Sequence, residues 1–221
     1  MSRRTSFSLR HSANHVDAED FVGLCIGQHF HEDPKANVLV VQATDTQATN
    51  AWIEYGALPT YKDMCPNCKV TVLKTSTSEI DKLPSLISAK LVADPSIDYI
   101  QSTFDSLSQA ILQGVQSASS KAKVVSMDAF LDVLQGMKNG SPMVSDTGYN
   151  LFAAGWYMTD QALRMMTGGK AVEKEVFPFR RMFTPANVGT LDLTAKGQES
   201  GLWYGKADYM GGFAKLWGLA G

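Results

Sequence analysis

The sequence predicts an α/β fold, a three-layer sandwich in which helices cover both faces of a mostly parallel sheet. Helix-like and strand-like segments alternate from residue 17 onward. The predicted strands begin near residues 38, 70, 97, 123 and 142, and a spacing of roughly 20–32 residues is the length of a strand–helix unit. Such alternation is typical of parallel sheets that are buried on both faces.

In the first half of the chain, three helices alternate with two strands. "DAEDFVGLCIGQHF" predicts a helix with Asp17 as its N-cap. The strand "ANVLVVQAT" leads into the helix "QATNAWIEYGALPTYKDM", which extends at least to Leu58, where Pro59 kinks or restarts it. The alternating, β-branched "KVTVLKT" is the next strand. "SEIDKLPSLISAKLVADP" is helical, with Pro84 either in the first turn or at a kink.

The second half continues the alternation and then changes character. The strands are "IDYIQSTF", "KVVSMD" and "PMVSD", and the helices between them are "DSLSQAILQGVQSAS" and "AFLDVLQGMKNG". The long helix "NLFAAGWYMTDQALRMMTGG" ends at Gly168–Gly169. After it we expect one strand in "EVFPFRRMFT" and a mostly irregular, Gly-rich segment with a short terminal helix. The chain therefore divides into an N-terminal extension (1–16), the main α/β unit (17–147) and a closing segment (148–221).

Charge and hydropathy exclude several classes of function. The net charge of −2 provides no basic surface, which argues against nucleic acid as a partner. No stretch approaches the ~18 apolar residues that span a bilayer. The N-terminus "MSRRTSFSLRHSANH" has no apolar segment after its positive charges, so it is not a signal peptide, and a chain complete as written is expected to be cytoplasmic.

Polar and aromatic residues follow the predicted strands, and ligands of open parallel sheets bind beyond the carboxyl ends of the strands. These residues are Thr44, Asp45, Asn50 and Trp52 after the first strand, Phe104 and Asp105 after the third, Asp128 after the fourth, and Asp146 and Tyr149 after the fifth. Carboxylates accept pairs of hydroxyl hydrogen bonds and aromatic faces cover C–H patches, so this set suits a small polyhydroxyl ligand. The alternative is that Asp105 and Asp128 only cap helices.

Motifs for catalysis, metals and cofactors find little support. All four histidines lie at or before position 31, and the chain has no G-x-S-x-G, P-loop or G-x-G-x-x-G motif, so we predict neither an enzyme nor a cofactor. "HFHED" offers His29, His31, Glu32 and Asp33 as metal-ligand types, but a solvated helix end is favoured. The arginines of "FRR" at 179–181 could bind an anion but are more typical of surface charge.

The pair Cys65 and Cys68 has the C-x-x-C spacing of metal and thiol-redox sites. It precedes a strand, so it lacks the helix N-terminus that lowers a thiol pKa in redox motifs. Zinc would need two further ligands. A short local disulfide at a helix–strand turn is favoured, with two free thiols as the alternative.

Five phrases in order resemble the C-terminal lobe of the sugar-type (type I) periplasmic substrate-binding proteins of ABC transporters. They are "AKLVADPSIDYI", "STFDSLSQAILQGVQSA", "KVVSMDAF", "GWYMTDQALRMMTGG" and the closing pair "FTPANVG" and "GGFAKLWG". The similarity extends from about residue 16 to the end. The resemblance implies a binding protein for a sugar or related polar solute, an ABC permease as partner, and a periplasmic or extracellular location.

The resemblance also implies roles for single positions. Asp128 matches the aspartate after the "VV" strand and is the position most expected to contact a sugar. Asp105 matches the Asp of the family's Asn–Asp pair, with Phe104 where Asn is usual. Asn50 and Trp52 lie near a position that often carries an arginine, and neither preserves it.

A further implication concerns a second lobe, which in the family precedes the region matched here. Tyr149 lies near the usual glutamine of the crossing between lobes, and residues 1–16 would form the hinge strand. The apolar face of the 148–169 helix, with Leu151, Phe152, Trp156, Met158 and Leu163, would pack on that lobe. We therefore expect docking onto a separate N-terminal lobe, self-association through this helix, or a truncated product. The alternative function is an effector-binding domain of the lactose-repressor type without its DNA-binding part.

Overall fold

A computed structural model describes residues 35–172 and 180–219 of the chain. The sheet has six strands in the order β2-β1-β3-β4-β5-β6, and every neighbouring pair is parallel except β5 with β6. The predicted α/β class with a mostly parallel sheet is confirmed. The predicted helix of residues 17–30, the "HFHED" group, the N-terminal extension and Phe179 lie outside the described residues.

All six strands of the structure coincide with predicted ones. The strands are β1 (Asn37–Ala43), β2 (Lys69–Thr75), β3 (Tyr99–Ser102), β4 (Lys123–Met127), β5 (Met143–Tyr149) and β6 (Arg180–Phe183). The strand β5 continues past the predicted "PMVSD" because Gly148 and Tyr149 pair with Arg181 and Arg180 of the antiparallel β6. Tyr149 therefore ends a strand rather than beginning the following helix.

The helices fill the intervals between the strands. They are α1 (Gln47–Ala51), α2 (Leu58–Met64), α3 (Leu83–Ala93), α4 (Asp105–Ser117), α5 (Leu131–Lys138), α6 (Leu151–Met166), α7 (Pro185–Val188), α8 (Ala195–Glu199) and α9 (Tyr209–Leu216). Short 3₁₀ turns cover Thr77–Lys82 and Leu202–Tyr204.

Both prolines that the sequence left open lie in first turns of helices. Pro84 is in the first turn of α3 and Pro59 in the first turn of α2. A π-helical segment, Trp52–Ala57, joins α1 to α2 without a break, and the N–H of Leu58 accordingly bonds to the carbonyl of Ile53, five residues earlier. The helical region therefore continues through Pro59 to Met64.

Alternating side chains of β1 divide the core between the two faces of the sheet. Leu39 and Val41 are buried with residues of α3, α4 and α5 on one face. Val38 and Val40 are buried with residues of the π-helical segment and α2 on the other, where the Tyr61 hydroxyl donates to Gln101 Oε1 at 2.8 Å. The helices thus form the two outer layers of the predicted sandwich.

The C-terminal segment packs on the same core. Phe183 of β6 and Trp203 are buried in the larger cluster, with ring centroids 6.2 Å apart. The indole N–H of Trp203 donates to the carbonyl of Asp192 at 2.9 Å, and Arg181 donates to the carbonyl of Trp203 at 2.8 Å. One predicted surface arginine therefore fastens the C-terminal segment to β6.

The last helix, α9, packs against one face of α6. Trp156 stacks on Trp217 with centroids 5.3 Å apart, and Phe213 and Tyr209 complete the aromatic cluster. The expectation that Trp156 belongs to an open apolar face of this helix is wrong, because α9 covers it.

Leu151, Met158 and Met166 lie on the side of α6 that faces away from α9, with 44, 67 and 81% of their surface exposed. Within the described ranges, no helix is long and apolar enough to cross a membrane.

The two cysteines of the C-x-x-C motif, Cys65 and Cys68, form a disulfide, with Cα atoms 5.3 Å apart. Cys65 ends α2 and Lys69 begins β2, so the bond lies at a helix–strand turn. This turn is at the amino end of the parallel strands, the edge of the sheet opposite to their carboxyl ends.

Candidate functional site

The carboxyl ends of β1, β3, β4 and β5 carry the polar and aromatic side chains predicted to bind a ligand. The structure separates them into two groups along this edge. Asp45, Asn50 and Trp52 follow β1, whereas Asp105, Asp128 and Tyr149 surround the ends of β3, β4 and β5. Phe104 packs against the core clusters on both faces of the sheet and so links the two groups.

Asp45 is exposed and joins two loops. Its carboxylate accepts the backbone N–H of Thr77 at 2.9 Å and also the Thr77 hydroxyl. These hydrogen bonds, chiefly that of the hydroxyl, lower the pKa of Asp45. Asp45 therefore fastens the end of β1 to the 3₁₀ turn after β2.

Asn50 is tied to the end of β1 by a residue that the sequence analysis missed. Gln42 is fully buried, and its side-chain amide donates to Asn50 Oδ1 at 2.5 Å and to Glu54 Oε1 at 2.8 Å. Trp52 is half-buried and packs on the same face of the sheet as Phe104. A glutamine within a β-branched strand gives no sequence signal that its amide will organise the following helix.

Asp105 begins α4 but does not cap it, since Phe104 occupies the N-cap position. Its side chain is 1% exposed, and Oδ2 accepts the backbone N–H of Phe130 at 2.7 Å. Burial raises the pKa of Asp105 to about 6. The alternative that Asp105 only caps its helix is therefore wrong, because its side chain accepts a backbone N–H of the turn before α5 and none of α4.

Asp128 lies in a strained turn directly after β4. Asp128 and Ala129 have φ angles of 114° and 57°, and non-glycine residues in such regions cost of order 1–3 kcal/mol each. The side chain of Asp128 is half-buried. Burial, and secondly repulsion from Asp105, raises the pKa of Asp128 to about 7, while the nearby backbone N–H of Asp105 partly opposes this rise.

Asp146, which the sequence placed after β5 but the resemblance did not single out, lies within that strand. It is fully buried, and its Oδ1 accepts the backbone N–H of Ala129 at 3.1 Å. Burial, and secondly the charge of Asp105, holds the pKa of Asp146 well above its ordinary value.

Two tyrosines border the carboxylates. Burial raises the pKa of Tyr149, and the charge of Asp128 adds to this rise. Burial likewise raises the pKa of Tyr204, followed by the charges of Asp146, Asp105 and Asp128.

Tyr204 was missed by the sequence analysis, since it comes from the irregular C-terminal segment. Its hydroxyl lies over Gly148 of β5, where a Cβ atom would be only 2.6 Å from the oxygen. Glycine at this position is therefore needed for the tyrosine to reach the site.

The arrangement combines acceptors with aromatic surface. Among the described residues there is no group of three or more His, Cys, Asp or Glu side chains arranged to hold a metal ion. Two of the three carboxylates instead accept backbone N–H groups of one turn. Half-buried Asp128, whose charge acts on both Tyr149 and Tyr204, is the acceptor suited to ligand hydroxyls.

Solved structures share this architecture. The chain is similar to a carbohydrate transporter from Acidothermus cellulolyticus 11B in complex with myo-inositol (23% identity, TM-score 0.68, covering 84% of this chain and 62% of that one). It is also similar to an ABC transporter periplasmic solute-binding protein from Actinobacillus succinogenes 130z with bound D-allose (16% identity, TM-score 0.67, 80% and 63%). A galactofuranose-binding protein matches as well (17% identity, TM-score 0.68, 85% and 64%).

The chain has the fold of the periplasmic sugar-binding proteins. It spans somewhat over 60% of the length of the periplasmic sugar-binding structures given above. No protein-family model and no curated protein sequence matches it. The predicted fold is confirmed by these periplasmic sugar-binding structures, whereas the ligand contacts predicted at the strand ends stay predictions.

Proposed function

We propose that the chain binds a sugar or a related uncharged polyol, without catalysis, as the C-terminal lobe of a two-lobed solute-binding protein. That protein would act in the periplasm or outside the cell and deliver its solute to an ABC permease. The alternative of a lactose-repressor-type effector domain gains no support from the structural matches.

The observation that carries the proposal is the environment of Asp128. Its side chain is half-buried at the end of β4, its charge acts on Tyr149 and Tyr204, and the backbone N–H of Asp105, at the start of α4, lies against its carboxylate. An ionised carboxylate accepts two or more hydroxyl hydrogen bonds, and aromatic faces cover the apolar side of a pyranose or cyclitol ring. The sugars in the matched structures belong to those proteins, and they support the ligand class for this chain through the shared fold.

The apolar side of α6 supports the second part of the proposal. Leu151, Met158 and Met166 are exposed on one helix side although α9 covers the other. An exposed apolar surface of this kind marks an association site. We propose that a second lobe packs on this surface, and we expect the chain alone to self-associate through it.

Ligand binding is tested with the whole chain. Isothermal calorimetry and saturation-transfer NMR are run against myo-inositol, D-allose, D-galactose and D-ribose, with glucuronic acid as a charged comparison. We expect weak binding of one or more neutral compounds, lost in Asp128→Asn but kept in the control Asp63→Asn, which alters an exposed carboxylate on α2. Equal binding by Asp128→Asn and the native chain would contradict the proposed role of Asp128.

Association is tested by light scattering coupled to size-exclusion chromatography. Met158→Glu is expected to abolish self-association, because a charge on the contact surface must be desolvated. Val92→Glu is the matched control. Val92 is 68% exposed, close to the 67% of Met158, and it lies on a different helix, α3. A monomeric native chain, or equal effects of the two variants, would argue against the α6 surface.

A further inference from the structure

The turn formed by residues 128–130 sends every one of its backbone N–H groups to a neighbouring element. Asp128 donates to the carbonyl of Thr147 at 2.8 Å. Ala129 donates to Asp146 Oδ1 at 3.1 Å and Phe130 donates to Asp105 Oδ2 at 2.7 Å. Two of the three acceptors are therefore carboxylates, and both are almost completely buried.

The two carboxylates also act on one another. The oxygens that do not accept from the turn, Asp105 Oδ1 and Asp146 Oδ2, are both buried without a hydrogen-bond partner among the described residues, and each carboxyl group shifts the pKa of the other. Carboxylates have only acceptor oxygens when ionised, so a proton carried by one of them would satisfy both of these oxygens. Asp146 is the more deeply buried of the two and is the member expected to carry it.

The link between the turn and α4 is reciprocal. The side chain of Asp105 accepts an N–H of the turn, while the backbone N–H of Asp105 lies against the carboxylate of Asp128. The orientation of Asp128 therefore depends on the same contacts that keep the strained turn closed.

We propose that Asp105 and Asp146 are positioning residues that share one proton and, through it, hold the 128–130 turn so that Asp128 faces the strand-end site. The part of this inference that concerns Asp128 rests on the proposed function. It also revises the role of Asp105, since a side chain beneath the turn acts on a ligand through Asp128 and not by contact.

The proton makes the site sensitive to pH. Loss of the shared proton leaves two negative charges on the buried pair beside a third on Asp128, and their repulsion opposes closure of the turn. Other groups around the pair are Asp132 on α5, Ser126 on β4 and the phenol of Tyr204.

Arg180 of β6 is a cationic side chain that acts on the neighbouring Tyr149, lowering its pKa against the rise that burial causes. Ligand binding should therefore rise as Asp128 ionises and fall when the pair loses its proton, which gives a bell-shaped pH profile.

The first test needs no ligand. Aspartate labelled with ¹³C at the carboxyl carbon is incorporated, and Asp146 is assigned by its loss in Asp146→Asn. Its resonance should be that of a protonated acid at pH 7. An ionised Asp146 at pH 7 would overturn the inference.

The second test compares two variants at one pH by amide hydrogen exchange. In Asp146→Asn the amide oxygen accepts from Ala129 and the NH₂ group donates to Asp105, which reproduces the protonated acid permanently. Asp146→Leu keeps the bulk and removes both bonds. We expect Leu to lower the protection of the Ala129 and Phe130 amides about tenfold or more, while Asn preserves it. Equal protection in both variants would overturn the inference.

Binding of myo-inositol across pH 5–10 then tests the consequence for Asp128. Asp146→Asn should keep the rise in affinity and remove the fall, and the control Asp132→Asn should keep both. If no compound binds while the carboxyl resonance and exchange results hold, the proposed function fails and the proton-sharing pair stands. A fall that persists in Asp146→Asn would refute the coupling of the pair to Asp128.

Discussion

Replacing Asp128 with asparagine should stabilise the protein at alkaline pH while weakening its binding of ligand. Asparagine has nearly the same shape and tolerates positive φ better than most residues, so the strained turn can be retained. The substitution removes a carboxylate whose ionisation the fold opposes. The change in unfolding free energy of Asp128→Asn therefore reports the cost of the buried charge, because the shape of the site stays nearly the same.

The size of the expected stability effect follows from the difference between the unfolded and folded pKa values of Asp128. Burial raises the pKa of Asp128 from 3.8 to about 7. A difference of this size corresponds to about 4 kcal/mol between the charged and neutral forms. Relaxation of the turn and screening by solvent around this half-buried group reduce this figure, and we expect about 2 kcal/mol to be measured.

The sign is set by which state holds the proton. Because the folded pKa exceeds the unfolded one, the folded protein keeps a proton that the unfolded chain releases between pH 3.8 and about 7. The stability contribution is therefore fully present below pH 3.8 and is lost as the pH rises through 7. The native protein should be less stable at pH 8 than at pH 5, and Asp128→Asn should reduce this difference.

Urea denaturation at pH 5 and pH 8, followed by tryptophan fluorescence, provides the measurement. Asp63→Asn serves as the control for loss of one surface charge. The reasoning is refuted if Asp128→Asn is less stable than the native protein at pH 8, or if the gain is the same at both pH values.

Three further predictions concern the supports of the site and the C-terminal segment. Gly148→Ala should cost about 2–4 kcal/mol and displace Tyr204, because the new Cβ would lie 2.3 Å from the Cβ of Ala129 and 2.6 Å from the tyrosine oxygen. Gly189→Ala, in open space and at an ordinary negative φ, is the control, and urea titrations that rank the two equally would contradict the prediction. Although burial opposes ionisation of Asp160, hydrogen bonds from Arg164 and Trp217 lower its pKa, so Asp160→Ala should lower the free energy of unfolding by about 1–3 kcal/mol above pH 4. This loss should fade as the pH falls through the lowered pKa. Release of α9 should change the tryptophan emission, and unchanged emission would count against this packing. Reduction of the Cys65–Cys68 disulfide should lower the free energy of unfolding by about 2 kcal/mol, because the bond closes only a short loop in the unfolded chain. Ligand binding, at the opposite edge of the sheet, should not change. An equal effect of reductant on a Cys65→Ala/Cys68→Ala variant would contradict this assignment.

The strands β1, β2 and β4 were predictable because each is a short run rich in β-branched residues. The position of Asp128 at the end of β4 followed from the same pattern. What could not be predicted is which carboxylate faces outward, because that depends on positive φ angles at Asp128 and Ala129, two residues with no strong preference for them. A sequence reading treats Asp105 and Asp128 alike, whereas the turn buries the first beneath the second.

The tertiary contacts of the C-terminal segment were also beyond the sequence. Helix α6 is apolar on two sides, and nothing local tells which of them α9 will cover. Tyr204 reaches Gly148 through a contact between distant parts of the chain, and neither residue belongs to a periodic pattern. Interactions of this kind depend on packing, which local propensities do not encode.

The π-helical segment between Trp52 and Ala57 makes the number of residues in this helix important for the strand-end site. Five-residue spacing amounts to one residue inserted into an α-helix, and such insertions are frequent at functional sites. Asn50 and Trp52 lie before or within the inserted turn, whereas Tyr61, which anchors the helix in the core, follows it. Deleting one residue here would restore an ordinary α-helix and rotate the upstream part by about 100° around its axis. The amide of Gln42 would then lose Asn50, so the spacing of this helix, as much as its composition, fixes one wall of the strand-end site.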